Sequence, residues 1–341
     1  MELHLEEREL ELLHPWTLSR GSSVAKRYAY VTVVHDGLSG SGEAAHNARY
    51  GESLPQVREV LGRFQGRVAG ADPWQYQDLL GELGAMAVGC RPAVAALDLA
   101  LFDWMGKKAG LPLYQWFGLN PAALPLTSFS IGIGDRDGIL RKVAEAADHP
   151  ILKIKLGAGN DREIMEAVRS VTDKPVRVDA NEGWGTPGTA LENICWLADR
   201  GVELVEQPLP AGQLDAMRWL KQRSPLPLVA DEDVHTAADL PRLADAFHGI
   251  NLKLMKAGGL LEAIRILHTA RALGLRVMIG CMIESSLGIT AAAHLGALAD
   301  WLDLDGNLLI RNDPYQGAST MAGRIILPGE SGLGVRLRSP S

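Results

Sequence analysis

Between residue 123 and about residue 303 a short β-rich run recurs every 22 to 28 residues, and this period constrains the fold more than any other feature of the chain. The runs end near Ile131, Lys155, Asp179, Glu206, Asp231, Lys253, Cys281 and Asp303. Amphipathic stretches lie between them, among them 162–171, 214–222 and 260–273, long enough to be crossover helices that return each strand parallel to the last. Eight such units predict an α/β fold, a (β/α)8-type modified TIM barrel over 123–312. No equally clear helix follows the eighth run, and the Gly- and Pro-rich tail, 313–341, is expected to turn back onto the first domain.

That first domain, 1–122, reads as an α+β unit. Strands are predicted over 2–13 and 27–35, a glycine-rich turn over 37–42, and helices over 53–66 and 91–109. Pro and small residues at 120–125 mark the boundary.

Composition narrows the function classes. The net charge is −7 and the charges are scattered, which argues against nucleic acid or an anionic membrane as partner. Cys90, Cys195 and Cys281 are far apart with no C-x-x-C spacing, so neither a disulfide framework nor a structural zinc site is expected. With no leader-like segment and no apolar run near the ~20 residues of a membrane span, the expected location is cytoplasmic. A homo-oligomer is left open.

In a barrel of this type the chemistry sits at the carboxyl ends of the strands. Asp179, Glu206 and Asp231 each end a different, consecutive run. A single one would be an ordinary helix cap; three in register would repel one another unless a cation sat among them, and hard oxygen donors suit Mg²⁺. Lys153 and Lys155 end the second run, Lys253 and Lys256 lie at the end of the sixth, and these two strands face each other across a ring of eight. A lysine beside a cation and a second lysine is expected to be pushed toward its neutral form, the form a general base needs. Asp303 and Asp305 at the eighth run point the same way by strand period, although Asp-Gly is also a common turn pair.

The Lys-x-Lys, the Asp/Glu/Asp trio and the Lys253-Leu-Met-Lys-Ala-Gly-Gly259 segment together resemble the muconate-lactonizing-enzyme-like branch of the enolase superfamily, over nearly the whole chain. Within that branch Gly42-Glu43-Ala-Ala-His-Asn-Ala-Arg-Tyr50, Gly280-Cys-Met-Ile-Glu284-Ser and above all Asp303-x-Asp305 resemble the dipeptide epimerases. The resemblance implies a capping domain over the barrel, one Mg²⁺ on Asp179, Glu206 and Asp231, and Lys155 and Lys253 as the two acid/base residues. It makes Lys153 an auxiliary lysine and Lys256 a structural one, and has Asn181 orient the first ligand. The known pattern of that superfamily is a lysine or histidine base with Mg²⁺ stabilising an ene-diolate; it comes with the resemblance and is not read from these residues.

The implied reaction is a 1,1-proton transfer at the α-carbon of the C-terminal residue of a dipeptide. Asp303 and Asp305 would receive the α-ammonium, with Tyr50 and Glu284 among the substrate-binding residues. The loops around 16–23 and 47–52 would close over the mouth, where Arg20 either pairs with an acidic substrate side chain or is a surface charge. Two departures stand out: Asp231-Glu232-Asp233 where a serine commonly follows Asp-Glu, and His46 where proline is common. Asp233 either faces the mouth, favouring a cationic substrate side chain, or faces away. Rival readings are N-acylamino acid racemase, o-succinylbenzoate synthase or cycloisomerase on the same scaffold, and a non-catalytic binding barrel, against which all five ligand and lysine positions are filled.

Overall fold

A computed structural model describes residues 1–18 and 21–339. The capping domain opens with an antiparallel sheet, β1 (Glu2–Leu18), β2 (Gly21–His35) and β3 (Leu38–Ala44). The first two strands run further than their sequence pattern suggests. After a register break between Glu11 and Trp16 they pair again, Trp16 with Ser23. The tip then meets the barrel, where Thr17 O accepts from Ile133 N at 3.0 Å.

The stretch predicted as a glycine-rich turn, 37–42, is instead mostly strand. Only Asp36 and Gly37 turn, with φ of 49° and 71°. Gly40 and Gly42 lie within β3, and a Cβ on them would come 2.0 Å from Ala100 O and 1.8 Å from Ala96 O. These two glycines let the strand press onto helix backbone. The helices are α1 (Leu54–Val68), α2 (Tyr76–Met86), α3 (Arg91–Ala109) and the short α4 (Leu113–Trp116). The sequence reading missed α2, whose Gly81 and Gly84 weaken the helical signal. α3 is buried over nearly its whole circumference because it lies between the sheet and the barrel.

The barrel strands and their helices alternate along the chain: β4 (Phe129–Ile131), α5 (Arg136–Glu145), β5 (Leu152–Lys155), α6 (Asp161–Arg169), β6 (Val176–Asp179), α7 (Pro187–Ala198), β7 (Val202–Glu206) and α8 (Leu214–Lys221). They continue with β8 (Leu228–Ala230), α9 (Leu240–Leu243), β9 (Gly249–Lys253), α10 (Leu254–Ala257), α11 (Leu260–Ala272), β10 (Arg276–Gly280), α12 (Ser286–Ala293) and β11 (Trp301–Asp303). All neighbours are parallel in the order β11 to β4, and the ring closes where Ser128 N donates to Leu302 O at 3.1 Å. Six strands end at the residues the period picks out; β8 and β10 stop one residue earlier.

The tail forms two small ladders, β12 (Tyr315–Gln316) with β15 (Arg336–Leu337) and β13 (Ser319–Met321) with β14 (Arg324–Ile326). It touches the capping domain at several points. Leu333 N donates to Asp103 Oδ1 at 2.8 Å and Leu113 N to Gly332 O at 3.0 Å, and Asn312, the residue just before the tail, donates its Nδ2 to Glu9 O at 2.9 Å. Among the described residues no helix is long and apolar enough to cross a membrane.

Candidate active site

β6, β7 and the residue after β8 bring Asp179, Glu206 and Asp231 to one mouth. One carboxylate oxygen from each lies within 4.8 Å of the others, and all three side chains are buried. Burial, and after it the neighbouring Asp179, raise the carboxyl of Glu206, against the pull of Lys153. Against burial, Lys155 holds the Asp179 carboxyl below its usual range and Lys253 does the same for Asp231. Three hard oxygen donors at this separation fit a divalent cation such as Mg²⁺.

Four lysines surround the acids. Lys155 Nζ lies 2.6 Å from Asp179 Oδ2, and Lys253 Nζ 2.8 Å from Asp231 Oδ2. Lys153 Nζ sits among three carboxylates, at 2.6 Å from Asp303 Oδ2, 2.8 Å from Glu206 Oε2 and 3.5 Å from Asp179 Oδ2. Lys256 Nζ is 2.5 Å from Asp231 Oδ1 and also donates to the Asp231 carbonyl. Lys155 and Lys253 come from β5 and β9, four strands apart in the ring. Each keeps 7% exposure, against 1% for Lys153 and 2% for Lys256.

The lysines are shifted in both directions: Lys256 is lowered by burial, with Lys253 adding to it against the pull of Asp231. Burial lowers Lys153, but Asp303, Glu206 and Asp179 outweigh it and hold the ammonium well above its usual range. Lys253 is likewise raised, burial being overcome chiefly by Asp231. Each lysine stands closer to a carboxylate than the strand pattern reveals, because its partner lies on the next strand or farther round the ring.

At the end of β11, Asp303 accepts from Ser128 Oγ at 2.7 Å as well as pairing with Lys153. Asp305 accepts from Ser130 N at 2.5 Å, and burial followed by the nearby Asp303 raises its carboxyl. Both acids line the same cavity as Lys153, Lys155 and Lys253, a space of about 870 Å³ under the capping domain. Asn181, at φ 43°, donates its backbone N–H to Asp179 Oδ1 at 2.9 Å and also lines the cavity. Tyr50 lines it from the cap and packs edge-on against His235 at 5.2 Å.

Other positions fall elsewhere. Glu284 is buried outside the cavity lining, accepting from Met282 N at 2.8 Å, with burial and Glu43 pushing its carboxyl up to about 8. Asp233 faces away from the main cavity, taking Gln207 Nε2 at 2.9 Å and Gly212 N at 2.8 Å. Arg20 lies outside the described residues.

Three contributors were absent from the sequence reading. Gln207 Oε1 accepts from Asp231 N at 2.9 Å, Asn251 Nδ2 donates to Glu206 Oε1 at 2.8 Å, and Arg49 clamps Glu182 with two bonds of 2.7 and 2.6 Å. Asn251 had a signal, standing two residues before Lys253 on one strand and so sharing its face. Arg49 lay in the 47–52 loop expected to close over the mouth, although its partner Glu182 is 133 positions away, and Gln207, acting through partners on the next strand, had no signal.

Carboxylates on consecutive strand ends, met by lysines from opposite sides of the ring and closed by an α+β cap, define a capped-barrel enzyme class with an acid–lysine centre. The chain belongs to the mandelate racemase/muconate lactonizing enzyme family of the enolase superfamily: the N-terminal domain of that family matches residues 2–118 and the enolase C-terminal domain-like unit matches residues 139–341. It is 42% identical over 328 residues to an L-Ala-D/L-Glu epimerase of Bacteroides thetaiotaomicron, spanning 96% of this chain and 85% of the relative. A dipeptide epimerase of Enterococcus faecalis V583, solved with Mg and L-Leu-L-Tyr, is 32% identical over 98% of both chains with a TM-score of 0.92. An N-succinyl Arg/Lys racemase of Bacillus cereus superposes as well, with a TM-score of 0.93 at 27% identity over 98% of this chain and 95% of the other. Backbone likeness alone therefore does not separate free from N-acylated substrates.

Proposed function

We propose that this chain is an Mg²⁺-dependent dipeptide epimerase that inverts the α-carbon of the C-terminal residue. The observation that carries the reading is the meeting of two acidic groupings at one barrel mouth: the Asp179/Glu206/Asp231 trio flanked by Lys155 and Lys253, and the Asp303/Asp305 pair, with Asp231, both lysines, Asp303 and Asp305 all lining one cavity. A cation on the trio would draw the substrate carboxylate and lower the cost of the negative charge that builds when the α-proton leaves. Lys155 and Lys253 approach from opposite strands, so one takes the proton from one face and the other returns it on the second. Lys153, buried among acids, holds its positive charge beside the developing anion.

The Asp303/Asp305 pair favours a free amino group over an acyl group. Lys153 neutralises Asp303, but Asp305 remains a buried carboxyl pressed by its neighbour, and a substrate ammonium supplies the missing charge. Such a charge-assisted contact contributes on the order of 1.5 to 3 kcal/mol. Acetylating the amino group of a dipeptide should lower kcat/KM at least about tenfold, and Asp305→Asn should shrink that penalty. A screen of free and N-acylated substrates in D₂O, scored by mass for deuterium at the α-carbon, tests this. N-acyl amino acids outperforming every free dipeptide would move the protein to racemisation of acylated substrates.

Side-chain preference follows from the cap. Lys26 is half-buried, lines the cavity, and pairs with no carboxylate among the described residues. Arg49 is already committed to Glu182. An acidic side chain on the epimerised residue would satisfy Lys26, in keeping with the Bacteroides relative being an L-Ala-D/L-Glu epimerase. L-Ala-L-Glu should exceed L-Ala-L-Leu in kcat/KM, and Lys26→Met should erase about tenfold of that preference. A stronger turnover of apolar dipeptides, unchanged by Lys26→Met, would refute the acidic assignment while leaving epimerisation in place.

A further inference from the structure

Asp98 is fully buried, belongs to the capping domain, and takes no part in the chemistry above. Its carboxylate crosses to the barrel, where Oδ1 accepts from Leu260 N at 2.5 Å and Oδ2 from Leu261 N at 3.1 Å. These are the first two residues of α11, whose N-cap residue, Gly259, has no side chain to offer. Gly259 has φ +114°, and a Cβ there would lie 2.3 Å from the Asp98 carboxyl. The helix start is therefore capped by a residue far away in the chain, and the glycine makes room for it.

The capped end is joined directly to a lysine of the site. Only α10 and Gly258-Gly259 separate Lys253 from α11. Leu254 O accepts from both Gly258 N at 2.9 Å and Gly259 N at 3.0 Å, which makes the connection a tight, hydrogen-bonded unit. The cap grips this unit twice more, through Arg91 Nη1 to Ala257 O at 3.4 Å and Ala45 N to Met255 Sδ at 3.4 Å. The segment after Lys155 is held differently. Leu156 N donates to Asp179 O at 2.9 Å and Gly157 N to Asp161 Oδ1 at 2.8 Å, all within the barrel.

We propose that Asp98 is a positioning residue for Lys253 and not for Lys155, so that docking of the capping domain sets one of the two proton-transfer faces. The proposal rests on the epimerase reading for its kinetic consequence and on the hydrogen bonds alone for its structural one. Two measurements on Asp98→Asn keep these apart. In D₂O, α-proton exchange of the epimer served by Lys253 should fall tenfold or more, while exchange of the opposite epimer, served by Lys155, stays within twofold. Backbone hydrogen exchange, which needs neither substrate nor metal, should show lost protection over residues 254–263 with residues 152–161 unchanged. Gly259→Ala should reproduce both patterns, because its Cβ displaces the carboxylate. Equal loss of exchange on both faces, or lost protection spread over both segments, would make Asp98 a residue of general stability and overturn the proposal. Should the wild-type chain exchange no dipeptide, the epimerase reading fails, and protection over residues 254–263 decides the positioning role: kept in Asp98→Asn it refutes the role, lost there alone it supports it.

Discussion

Replacing Lys155 or Lys253 by alanine is expected to lower dipeptide epimerisation by about a thousandfold, within the 10² to 10⁴ range that a positioned acid/base group contributes. Each single variant should still exchange the α-proton of one epimer, and the two should spare opposite epimers. The argument is geometric. β5 and β9 stand across the ring, and Lys155 and Lys253 line the cavity with more exposure than Lys256, so in the proposed reaction each lysine would serve its own face. Lys256 is held by the side chain and carbonyl of Asp231 and does not line the cavity, so Lys256→Ala should weaken cation binding more than it alters the choice of face. Loss of exchange with both epimers in both lysine variants would indicate that the lysines serve the architecture of the acid cluster. Full activity in Lys253→Ala with none in Lys256→Ala would exchange their roles.

The barrel and the chemical core of its mouth were legible because both are written at short range. Strand ends recur at a fixed interval, and residues two apart on a strand share a face, which brings out Lys153 with Lys155 and Asp303 with Asp305. The errors arise where meaning depends on a partner distant in sequence. Gly40 and Gly42 look like turn residues until α3 is seen lying against them. The strand pattern likewise does not reveal that Asp303 stands beside Lys153 and Asp231 beside Lys253. Glu284 sits next to a strand end, as a substrate contact would, but its carboxyl folds back onto Met282 N. Asp98 has no legible role at all from sequence, since the backbone it caps is more than 160 positions away.

Removal of divalent cations by exhaustive chelation should abolish epimerisation, and Mg²⁺ alone should restore it. The reason lies as much in the lysines as in the acids. With only protein charges present, Lys155 and Lys253 serve as counterions to Asp179 and Asp231, and Lys253 is held firmly as an ammonium. Asp179, Glu206 and Asp231 would hold a divalent cation that neutralises them, which would leave Lys155 and Lys253 to face substrate. Glu206→Gln tests the same balance without a chelator. Glu206 pairs with Lys153, whereas Lys155 pairs with Asp179 and Lys253 with Asp231, so the substitution would remove a carboxylate from the proposed cation site while leaving both lysines their own partners. Mg²⁺ affinity measured by calorimetry should drop, and kcat/KM should fall about a hundredfold or more, in line with the several kcal/mol that such a cation supplies to a developing anion. Activity that survived chelation and was indifferent to Glu206→Gln would mean that the lysine ammoniums alone stabilise the charge.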